Sequence, residues 1–132
     1  MKVFEFIIAM MVLICGAETN ADDGIKFSRD ILPILSDRCF HCHGPEPTHR
    51  EADLRLDEEA GAKTVLVPGD PEASELLKRI STDDPDLLMP PPASRREKLT
   101  PEEIEKFRQW IAEGAQWGKH WAFERPERPA IP

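Results

Sequence analysis

Apolar positions fall along the chain in four distinct patterns. An unbroken run occupies Phe6 to Cys15, and beyond it the apolar residues recur at helical spacing in three places. In "KFSRDILPILSDRCFHCH", Ile31, Ile34 and Leu35 form a stripe leading into two cysteines, with Ser28 placed to cap the helix and Asp30 in its first turn. Pro33 removes a backbone donor and disfavours helical geometry at Leu32, so this helix is expected to start at Leu32 or to bend there. In "GDPEASELLKRIS", Asp70 is the expected N-cap, Pro71 the first helical residue, and Leu76, Leu77 and Ile80 the buried face. In "LTPEEIEKFRQWIAEGAQWG", Thr100 and Glu103 spell a capping box, Pro101 opens the helix, Ile104, Phe107 and Ile111 repeat on one face, and Gly114 ends it.

Between these helices, polar and turn-forming residues dominate. Leu54-Arg55-Leu56 and Val65-Leu66-Val67 read as short extended pieces within a long loop rich in Gly, Pro and charge. "TDDPDLLMPPPASRREK" is a loop, because three consecutive prolines oppose both helix and sheet pairing. No internal repeat is visible. The expected class is therefore all-α, mostly helical with long loops.

The run from Phe6 to Cys15 follows one Lys and is too short for a stable membrane span, which makes residues 1–21 a signal peptide cleaved before Asp22. Export to the periplasm or the cell surface follows. Ala17 offers a rival cleavage site, and membrane association arises only if Cys15 is lipidated, against which stands the bulky Ile14 before it. Residues 22–122 form the expected domain, and the Pro-rich residues 123–132 a linker or truncated tail.

The formal charge of −8 becomes about −7 once the leader takes away one Lys and two Glu, a balance that argues against nucleic acid as a partner. With 132 residues and 13 prolines, the chain can pack a single small core, and a core of that size usually needs a staple. Leader removal leaves Cys39 and Cys42 as the only cysteines, in an oxidising compartment.

"CFHCHG" contains Cys-x-x-Cys-His, the attachment signature for c-type haem. On a helix, positions 39 and 42 share a face, so both sulfurs can reach the porphyrin vinyl groups while His43 ligates the iron from the same side. Met89, the one methionine left after leader removal, sits in the stiff "LLMPPP" loop and is the expected distal ligand, against the alternative that it merely fills the core. His41 is expected to face solvent. His49 is a surface residue or a substitute distal ligand, and His120 packs among Trp117, Trp121 and Phe123. Zinc would need to recruit His49 or His120 from afar, and a Cys39–Cys42 disulfide leaves the adjacent His43 unexplained.

At this point the chain resembles the planctomycete-type cytochrome c domain, a branch of the c-type cytochromes. The resemblance runs from about Phe27 to Trp121 and rests on "DILPILSDRCFHCHG", "LRLD", "VPGDPEASELLKRI", "LLMPP", "LTPEEIEKFRQWIAEGA" and "HWAF", in that order. It implies a cytochrome c-like fold around one covalent haem c per chain, with His43 proximal, Met89 distal and the C-terminal helix packed across the N-terminal one. It also implies an electron carrier rather than an enzyme, a redox partner protein, and further C-terminal domains in a longer native chain. A different class of function is open beside it: a docking domain for a larger exported protein, acting through the Pro-rich tail and Trp110, Trp117 and Trp121, with the haem structural or replaced by a disulfide.

Overall fold

The computed structural model describes residues 24–118. The signal segment with Cys15, together with His120, Trp121, Phe123 and the tail 123–132, lies outside these described residues. Within them the chain is helical and forms no strand. A five-residue π-turn, Phe27–Ile31, leads into α1 (Leu32–Arg38), followed by α2 (Phe40–His43), α3 (Glu59–Ala62), α4 (Glu75–Ser81) and α5 (Pro101–Ala112). Short 3-10 turns occupy Pro47–His49 and Pro92–Ser94. None of the helices of the described residues is long and apolar enough to cross a membrane.

Pro33 acts as expected, since regular helix begins at Leu32 with the proline in its first turn, where no amide donor is needed. Ser28 does not cap this segment. The turn starts after Lys26, whose amide donates instead to the Asp30 carboxylate at 2.9 Å. Packing explains the earlier start, because Phe27 and Ile31 are both buried and the turn carries them into the core together.

The helix expected from Asp70 begins later, at Glu75. Asp70 caps a turn, accepting from the Ala73 amide at 3.0 Å, and Ser74 takes the N-cap position. Ser74 is fully buried because its hydroxyl bridges two backbones: it accepts from the Val67 amide at 2.8 Å and donates to the Asp70 carbonyl at 2.9 Å. The Leu76 amide donates to the Val65 carbonyl at 3.0 Å. The apolar run Val65–Val67 is therefore tied to the start of α4 and pairs with no strand.

Helix α5 carries the capping box, with the Glu103 amide donating to Thr100 Oγ1 and the Thr100 amide to the Glu103 carboxylate. At its other end the Gly114 amide reaches Ile111 and the Ala115 amide reaches Trp110, a Schellman ending that Gly114 permits at φ +99°. Phe107, Trp110 and Ile111 face inward, against the buried Leu76, Leu77 and Ile80 of α4 and against Phe27 and Ile31. The C-terminal helix thus packs on the N-terminal helical segment.

Trp110 is 1% exposed and donates its indole N–H to the Gln116 carbonyl at 3.0 Å. Trp117 lies 4.1 Å, centroid to centroid, from Phe27. Trp110 is thus spent on the interior, and Trp117 is half-buried against the core.

Candidate functional site

Helices α1 and α2 meet at Cys39, whose φ of −117° departs from helical geometry and turns the chain between them. The Cys39 amide still donates to Leu35, and the Cys39 carbonyl accepts from the amides of Cys42 and His43, so the motif is held as one short helical knuckle. Its two free carbonyls are taken up from outside: Glu51 donates to Cys42 and Leu56 to His43, each at 2.8 Å. The Leu54–Leu56 piece therefore spends a backbone donor on the motif and forms no strand.

Gly44 closes the knuckle. A Cβ there would stand 2.2 Å from the Phe40 carbonyl oxygen, so no larger residue can follow His43 with this backbone. Arg50 then folds over the exit, donating to the carbonyls of Gly44 and Pro45.

Cys39, His43 and Met89 line one cavity of about 270 Å³. Its walls are otherwise mainly apolar and include Leu35, Leu56 and Phe107, with Leu76 and Ile80 from α4. Met89 comes from a distant loop, and its amide donates to the Arg79 carbonyl on α4 at 2.9 Å. Glu75 and Arg79 supply the charged part of the lining, with Arg79 Nε donating to Glu75 at 2.8 Å. Cys42 follows one helical turn after Cys39 and is not among the lining residues.

The electrostatics favour neutral groups. Burial pushes the Cys39 thiol up to about 12, reinforced by Cys42 and Asp37 and weakly opposed by Arg38, so it stays protonated at neutral pH. A thiol in that condition is a poor attacking group. Burial also lowers the His43 imidazole below its ordinary value, against a smaller opposing influence from Glu51. His43 Nδ1 is buried and makes no hydrogen bond. A neutral imidazole with an unpartnered ring nitrogen, beside a thioether and a thiol in an apolar cavity, is a donor set that fits haem iron.

Of the described histidines, His41 and His49 are not among the lining residues of this cavity. His41 and His49 are exposed and stack on each other with ring centroids 5.5 Å apart. Among the described residues no group of three or more His, Cys, Asp or Glu side chains stands close enough to hold a metal ion. Glu51, Leu56, Gly44 and Arg79 support the site without having been singled out by local pattern. Of these only Gly44, directly after the motif, carries a local signal.

Residues 39–93 match the family described as Planctomycete cytochrome C. That span begins at the first motif cysteine and includes His43, Arg79 and Met89. No curated protein and no solved structure matches the chain.

Proposed function

We propose, for a chain whose residues 39–93 match the family described as Planctomycete cytochrome C, that it is an exported single-electron carrier built around one haem c. Cys39 and Cys42 are the attachment points, His43 the proximal ligand and Met89 the distal ligand. The convergence of Cys39, His43 and Met89 on one apolar cavity carries this reading.

The haem supplies the ferrous–ferric couple, and the chain's residues set its conditions. His43 offers a neutral nitrogen because burial opposes its protonation. Met89 offers a soft sulfur, held to α4 through the Arg79 carbonyl. Leu35, Leu56, Leu76 and Phe107 give the cavity an apolar lining, and an apolar surround with a thioether ligand favours the reduced state. With His43 and Met89 as ligands the iron would have no open position, so bond-making chemistry would fall to attached domains or to a partner and the chain would act as an electron carrier, not an enzyme.

The acidic balance of the chain suits a redox partner with a basic surface. Optical spectroscopy of the reduced holoprotein tests the ligation: sharp, low-spin α and β bands are expected, whereas a high-spin spectrum removes Met89 as the sixth ligand. If Cys39→Ala or Cys42→Ala abolishes the haem signal yet leaves the partner's activity intact, electron transfer is not the role.

A further inference from the structure

We propose that Arg79 is the positioning residue for the carboxylate-bearing edge of the tetrapyrrole, an inference that rests on the haem reading above. Haem carries two carboxylate side chains, and a cavity lined by Leu35, Leu56, Leu76 and Phe107 offers them nothing. Arg79 is the one permanently cationic side chain among the lining residues.

Its geometry leaves room for a ligand. The side chain is 37% exposed, which places it at the rim, and among the described residues it bonds only Glu75, through Nε. A guanidinium has five N–H donors in a planar fork, so the terminal amines remain available for a bidentate carboxylate contact. Glu75, 49% exposed, competes for the same cation and holds it at the rim until a second carboxylate arrives. Arg79 also acts through its backbone, because its carbonyl accepts from the Met89 amide at 2.9 Å. One residue of α4 thus addresses the anionic edge of the tetrapyrrole with its side chain and the distal-ligand loop with its backbone.

The test uses the full chain produced without haem maturation, titrated with haem and with its dimethyl ester, in which both carboxylates are capped. Quenching of Trp110 reports binding, since this ring lies 6.3 Å from Phe107, a lining residue. The parent chain is expected to bind the free acid about tenfold more tightly than the diester. Arg79→Gln should bring the two within about twofold by weakening the free acid alone, and Glu75→Gln should tighten the free acid alone. Arg79→Lys, which keeps the charge and loses the fork, is expected to show an intermediate preference. Equal binding of acid and ester by the parent, or an undiminished preference in Arg79→Gln, overturns this assignment while leaving the haem reading in place. If Arg79→Gln does not fold, an undiminished preference in Arg79→Lys overturns it instead. Failure of the parent to bind either tetrapyrrole overturns both readings together.

Discussion

The Met89 amide donates to the Arg79 carbonyl at 2.9 Å, so the sulfur-bearing loop is registered to the last turns of α4. That bond spans two segments that local pattern treats as independent, and it brings Met89 to the cavity occupied by Cys39 and His43. Replacing Met89 by Leu should keep the apolar volume and remove the sulfur. The ferrous holoprotein is expected to become high-spin, or to gain affinity for carbon monoxide, while Met89→His should restore a low-spin spectrum at a lower potential. A low-spin Met89→Leu protein with unchanged potential contradicts the assignment.

His43 gives the haem-free chain a pH dependence of predictable sign. Its folded-state value lies below the ordinary 6.5 because burial disfavours the imidazolium, so the unfolded chain binds more protons as pH falls through that value. Stability is therefore held above pH 6.5 and lost below it. Asp30 and Asp57 act in the same direction in a lower window, below 3.8, where Arg29 and Arg55 respectively hold their carboxyls down. Urea denaturation of the haem-free protein at pH 7 and at pH 5 should show the loss, and His43→Ala should flatten it.

Gly44 leaves no space for a side chain. Its Cβ would meet the Phe40 carbonyl oxygen at 2.2 Å, a backbone atom that cannot move aside as a flexible side chain could. Gly44→Ala is expected to cost about 1–3 kcal/mol, read as a lower midpoint in thermal or chemical unfolding, and to reduce haem incorporation by displacing His43.

Among the described residues Trp110 is the largest fully buried side chain, with the rings of Phe27, Phe107 and Trp117 around it. Trp110→Ala should destabilise the chain by about 3–5 kcal/mol, and Trp110→Phe by less, with the lost Gln116 hydrogen bond as part of the difference. If the tryptophan served docking instead, its removal would leave the unfolding midpoint in place.

Local pattern reveals the parts of the fold that local chemistry determines. The Thr100–Glu103 box, the Leu76/Leu77/Ile80 face and the helix start at Leu32 depend on residues within a turn or two of one another, and each forms as expected. Asp70 misleads because its side chain stabilises a turn as readily as a helix, and Ser74 takes the N-cap position four residues on, its hydroxyl tied back to the Asp70 carbonyl. Leu54–Leu56 and Val65–Val67 have strand composition, yet their amides find the carbonyl of His43 and the hydroxyl of Ser74 before any strand partner.

The site divides in the same way. Cys39, Cys42 and His43 announce themselves by spacing, and Met89 by being the last methionine in a stiff loop. Arg79 and Glu75 look like an ordinary i, i+4 surface pair, and only the fold of α4 over the cavity sets them beside Cys39 and Met89.

The most direct measurement is the intact mass of the chain expressed with a haem-maturation system. The haem assignment predicts a gain of one haem that survives denaturation, reduced to a single thioether or lost in Cys39→Ala and Cys42→Ala. A purified, fully folded protein whose mass matches the bare polypeptide contradicts it.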